Sequence, residues 1–133
     1  MAPNRWPDLK GVHVVVIDDN DDSCRLLEQA LNYCGALVTV FSSAEAVLEA
    51  MNEYLPTLII SDLSMPGMSG FAVAHTLRER YGSAKPLLIA ITGRNAGSDR
   101  SLARSMGFDH YVAKPYDPNE VLALLAGVRS ASQ

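Results

Sequence analysis

The sequence predicts an α/β domain of the doubly wound, three-layer kind, a (βα)5 chain in which helices cover both faces of a parallel sheet. Short aliphatic runs at Val12–Ile17, Ala36–Phe41, Thr57–Ser61, Leu87–Ile91 and His110–Ala113 alternate with longer amphipathic stretches. The first, third and fourth runs are apolar on both sides, the pattern of strands buried beneath helices on each face. A chain of 133 residues is one domain by the usual prior of about 100–200 residues, long enough to hold a core without metal or disulfide staples. Right-handed crossovers between successive parallel strands complete the architecture.

Each helical stretch has readable ends. Cys24, Leu27, Leu31 and Cys34 recur at three- and four-residue spacing, and Gly35 follows as a C-terminal stop. Ser42-Ser43-Ala44-Glu45 reads as a capping box opening a helix that runs to about Glu53. Phe71, Ala74, Leu77 and Tyr81 form the next apolar face, closed by Gly82, and Ser98 or Asp99 opens a short helix ending at Gly107. Asp117-Pro118-Asn119-Glu120 combines an N-cap, a proline at the first helical position and a glutamate that can reach back. Val121, Leu124, Leu125 and Val128 give that last helix its buried stripe. Residues 1–8 and 130–133 are expected to be loose tails flanking a unit at 9–129.

Composition excludes several classes of function. Eleven basic against fifteen acidic residues leave a net charge of −4, the wrong sign for a face that tracks nucleic-acid phosphates. The longest aliphatic run, Leu87 to Ile91, is far too short to span a membrane. The N-terminus Met1-Ala2-Pro3-Asn4-Arg5-Trp6-Pro7 lacks the apolar region of a secretory signal. A cytoplasmic location is therefore expected. Cys24 and Cys34 lie on one predicted helix, about 15 Å apart at the helical rise, so they read as free thiols. His13, His75 and His110 share no ligand spacing, which leaves a zinc site without support.

In open α/β sheets ligand chemistry collects beyond the carboxyl ends of the strands. Asp18 and Asp19 follow the first run, Asp62 and then Leu63-Ser64-Met65-Pro66-Gly67 the third, Thr92-Gly93 the fourth, and Lys114-Pro115 the fifth. Three carboxylates gathered at one edge raise each other's pKa unless a cation lies among them. With hard oxygen ligands that cation is Mg²⁺. A cation, a lysine and a hydroxyl around a carboxylate are the parts that hold a phosphoryl group, and an aspartate can itself be the nucleophile.

These pieces, in this order and each at the end of its own strand, resemble the receiver domain of two-component response regulators over about residues 9–127. The resemblance implies a flavodoxin-like sheet of strand order 2-1-3-4-5. It implies that Asp62 accepts a phosphoryl group from the phosphohistidine of a sensor histidine kinase or a histidine phosphotransfer protein. Asp19, Asp62 and the Ser64 carbonyl would hold Mg²⁺ directly, with Asp18 acting through a metal-bound water. Lys114 and Thr92 would contact the phosphoryl oxygens, and Thr92 with Tyr111 would form the switch. The switch would alter the face of the fourth helix, fifth strand and fifth helix, where a downstream protein partner docks. Such a domain promotes its own phosphotransfer and dephosphorylation and is not a turnover enzyme.

Leu9-Lys10-Gly11 look like the lead-in of receivers attached to sensor histidine kinases, so a stand-alone regulator and the receiver of a hybrid kinase are both open. The Lys114-Pro115 bond is cis by resemblance and trans by base rate. Two rivals are weaker. A pseudo-receiver that signals without phosphorylation normally lacks an acidic or lysine position, and this chain lacks none. Phosphatases of the haloacid dehalogenase type resemble an Asp-x-Asp triplet, whereas the position two after Asp62 is Ser64.

Overall fold

The computed structural model describes residues 7–18, 21–63, 70–82, 85–92, 107–113 and 116–131, with the side chains of 21–24, 70, 71, 92 and 128–131 left aside. The elements run β1 (His13–Ile17), α1 (Asp21–Tyr33), β2 (Leu37–Phe41), α2 (Ala44–Ala50), β3 (Leu58–Asp62), α3 (Gly70–Tyr81), β4 (Leu87–Thr92), β5 (His110–Ala113) and α4 (Pro118–Ala131). The helix expected between Ser98 and Gly107 lies outside the described residues. All strand pairs are parallel, in the order β2-β1-β3-β4-β5, as the resemblance implied.

Strand alternation divides the core into two layers. Val14, Val16, Leu58, Ile60, Ile89, Ile91 and Val112 face Leu27 and Leu31 of α1 and Val121, Leu122 and Leu125 of α4. Val15, Ile17, Ile59, Leu88 and Ala90 face Val47 and Met51 around α2 and Val73, Ala74 and Leu77 of α3. Each central strand thus spends its alternate residues on opposite helical layers. This is why β1, β3 and β4 carry nearly unbroken aliphatic sequence. The edge strand β2 has one neighbour, and Leu37 and Val40 are exposed on it.

Local signals set the element ends. Ser43, rather than Ser42, caps α2: its hydroxyl accepts the Ala46 N–H at 3.2 Å. The third helical residue is then Ala46, which cannot reach back, so no reciprocal box forms. The helix also stops at Ala50, where the chain turns instead of continuing to Glu53. At α4 the expected reciprocity is present. The Asp117 carboxylate accepts the Asn119 N–H, and Glu120 Oε1 accepts the Asp117 N–H, both at 2.9 Å.

The chain ahead of β1 is seated on the end of α1. Pro7 and Leu9 are buried, and the Leu9 N–H donates to the Cys34 carbonyl at 2.8 Å. At the bottom of the sheet the His13 and Tyr54 rings stack at 5.2 Å between centroids. His13 Nε2 and Thr39 Oγ1 hydrogen-bond at 2.9 Å, and the His13 N–H donates to the Thr57 hydroxyl. Cys34 is a free thiol whose pKa is pushed up by burial and, to a lesser degree, by the charge of Asp8. A thiol held protonated in this way is a poor nucleophile.

Gly35 turns the chain out of α1 at φ +101°, and a Cβ there would meet the Lys10 amide nitrogen at 3.2 Å. Gly35→Ala is expected to lower unfolding free energy in urea by about 1–2 kcal/mol, from the left-handed backbone cost. Gly127, exposed within α4 with open space around it, gives the opposite sign: Gly127→Ala should add about 0.5–1 kcal/mol.

Candidate functional site

Two carboxylates stand side by side at the carboxyl edge of the sheet. Asp62 ends β3, and Asp18 follows β1 directly, its N–H donating to the Phe41 carbonyl at 3.1 Å so that the β1–β2 ladder runs one residue further. β1 and β3 pair up to Ile17 with Ser61, and one more step brings Asp18 level with Asp62. Adjacent strands lie about 4.8 Å apart. By alternation both side chains leave the sheet on the face of Val16 and Ile60, toward α1 and α4. Their burial is nearly complete, at 3% exposure for Asp18 and 2% for Asp62.

Among the described residues, the buried polar or charged side chains are these two aspartates and Ser61. Carboxylates are seldom buried unless paired or bound to a cation. The arrangement can therefore hold a hard cation and present one carboxylate oxygen as a nucleophile.

Of the remaining predicted residues, Thr92 and Tyr111 are described. Thr92 ends β4, level with Ala113, the last residue of β5. Lys114 follows Ala113 in the chain. Tyr111 stands level with Ala90 and packs, half-buried, against the core layer beneath α2 and α3. It thus leaves the sheet on the face opposite the two aspartates. Asp19, Ser64 and Lys114 lie outside the described residues.

One polar group at the site was not singled out from sequence. Ser61, immediately before Asp62, is fully buried between Ile17 and Ala90 on the α2–α3 face. Its hydroxyl has no hydrogen-bond partner among the described residues. The available signal was a single polar residue ending the run Leu58-Ile59-Ile60.

A five-stranded parallel sheet of order 2-1-3-4-5 with paired acids at its carboxyl edge defines a class of α/β domain that gathers ligand chemistry at that edge. The chain belongs to the response regulator receiver domain family, whose model matches residues 14–126. Members of this family are signalling modules rather than turnover enzymes.

The chain is 36% identical over 117 residues to the uncharacterized 14.6 kDa protein in the sodA1 3′ region of Leptolyngbya boryana, covering 88% of this chain and 89% of that one. It is 34% identical over 113 residues to the DNA-binding transcriptional regulator NtrC of Escherichia coli K12, covering 84% of this chain but 24% of that regulator. The chain therefore spans about a quarter of NtrC and nearly all of the Leptolyngbya protein. Among solved structures, the receiver domain of the TMAO respiratory system response regulator TorR superposes with a TM-score of 0.81 at 27% identity, covering 92% of this chain and 99% of that one.

Removing the Ser61 hydroxyl should relieve a buried polar group of its desolvation. Ser61→Ala is expected to leave stability unchanged or raise it by about 1 kcal/mol in urea unfolding. A loss of similar size would instead place a water on that hydroxyl.

Proposed function

We propose that the chain is a phosphorylatable receiver. It takes a phosphoryl group from the phosphohistidine of a sensor histidine kinase or a histidine phosphotransfer protein onto Asp62. The observation that carries this reading is the burial of Asp18 and Asp62 on adjacent strand ends of one sheet face. In the transfer a carboxylate oxygen of Asp62 forms the new O–P bond as the donor's N–P bond breaks, and the released imidazole takes up a proton. The product is an acyl phosphate on a side chain held by a rigid strand.

The acidic pair fits Mg²⁺, since its donors are hard carboxylate oxygens. Asp19, Asp62 and the Ser64 carbonyl would hold the ion directly and Asp18 through a water. When bound, Mg²⁺ offsets the negative charge that the phosphoryl oxygens add to the carboxylates. Lys114 supplies a second positive charge to those oxygens, and the Thr92 hydroxyl donates a hydrogen bond to them. The pairing of Thr92 with Ala113 supports this division, because it brings the ends of β4 and β5 to one level just before Lys114.

The output is a shift of population between two conformations. Phosphoryl oxygens bond Thr92 and Lys114 better in one of them, and Tyr111 repacks with that state. The surface that changes is built by the segment between β4 and β5, by β5 and by α4, and a downstream protein partner reads it. Among the described residues no helix is long and apolar enough to cross a membrane.

Mass spectrometry of the protein after incubation with acetyl phosphate and Mg²⁺ should show one phosphoryl adduct. It should be absent without Mg²⁺ and absent in Asp62→Asn. An adduct that persists in Asp62→Asn overturns the assignment of the acceptor. Mg²⁺ at ten times its dissociation constant should stabilise the fold by about 1.4 kcal/mol through linkage. Thermal melts with and without the ion should show this gain in the wild type and lose it in Asp62→Asn.

A further inference from the structure

β5 is a four-residue edge strand in which only Val112 is buried. Hydrophobic alternation normally sets strand register, since a slip of one residue moves every side chain to the other face. Here Val112 is buried on one face while Tyr111 packs half-buried on the other, so both faces accept an apolar residue and a slip would exchange the two.

A polar clamp lies just ahead of the strand. The Asp109 N–H donates to the Leu88 carbonyl at 2.8 Å, and Asp109 Oδ2 accepts the Leu88 N–H at 2.9 Å. The same oxygen pairs with Lys85 Nζ at 2.9 Å. The Lys85 side chain is 13% exposed and that of Asp109 36%. Leu88 directly precedes Ile89, which pairs with His110 as the first rung of the β4–β5 ladder. Asp109 thus exchanges two hydrogen bonds with one residue of β4, one through its backbone and one through its carboxylate. Lys85 holds that carboxylate in place.

We propose that Asp109 is a positioning residue for the receiver chemistry. It locks β5 at the His110–Ile89 rung, which sets Tyr111 opposite Ala90 and Ala113, the residue before Lys114, level with Thr92. This inference rests on the roles given to Tyr111 and Lys114 above. A slipped strand would still pack an apolar residue on the core but would take Ala113, the residue before Lys114, off the level of Thr92.

The test compares Asp109→Ala with Asp109→Asn in the full chain. Asparagine keeps an oxygen for the Leu88 N–H and loses only the charge toward Lys85. Val47→Ala, in the buried face of α2, serves as a control for destabilisation away from β5. Asp109→Ala should lose amide exchange protection at Leu88 and across β5, and should form the acetyl phosphate adduct about tenfold more slowly, as misplaced catalytic groups do. Asp109→Asn should restore the rate to within about twofold of wild type, and Val47→Ala should react at the wild-type rate.

Wild-type reactivity in Asp109→Ala, or equal slowing in Val47→Ala, overturns the proposal. If the wild type itself forms no adduct, the reading of function falls separately. The exchange measurement then decides the register role, and unchanged β5 protection in Asp109→Ala rejects it.

Discussion

Two carboxylates one strand apart, both withdrawn from water, are the constraint around which this molecule is organised. Neither can move away without breaking a strand. Asp18 is tied to β2 through its backbone, and Asp62 ends a strand hydrogen-bonded on both sides. The two aliphatic layers that hold β1 and β3 together therefore also hold the charges together.

The alternation of the sheet then separates two tasks. The face toward α1 and α4 carries the aspartates, and the face toward α2 and α3 carries Ser61 and Tyr111. In the proposed reading, an event at Asp62 reaches Tyr111 through the ends of β4 and β5 and not by direct contact across the sheet. Small residues line the row that would carry it: Ser61 is level with Ala90, and Ala90 with Tyr111. In that reading the register of the last strand is part of the functional geometry.

Much of this was legible because the physics was local. Strands buried on both faces must be aliphatic throughout, so β1, β3 and β4 appeared within a residue of their observed ends. The box at Asp117 and Glu120 could be read because both partners lie within four residues. At Ser42 and Ser43 two hydroxyls offered competing caps, and the backbone took the second, which set the start of α2 one residue later. Asp18 and Asp62 were found because a carboxylate straight after an aliphatic run stands out. Asp109 and Lys85 were not legible: their significance lies in a contact across 24 residues, and each alone reads as a solvated loop charge. Ser61 was obscured by its neighbour, since a polar residue beside Asp62 looks like the end of a strand.

The hydrogen bond from His13 to the Thr57 hydroxyl spans 44 residues and lies at the base of the β1–β3 pair. The other neighbouring strands are joined by a single crossover, while this pair skips over β2. Closing a longer loop costs more chain entropy, though only about 0.6 kcal/mol for each doubling, and pairings of high sequence separation govern folding speed. The acidic edge thus comes into being with the most distant closure in the sheet. A nascent or partly unfolded chain that has made β1, α1 and β2 already has a hydrophobic unit but not the paired acidic edge, and in the proposed reading competence to receive a signal arrives together with the completed topology.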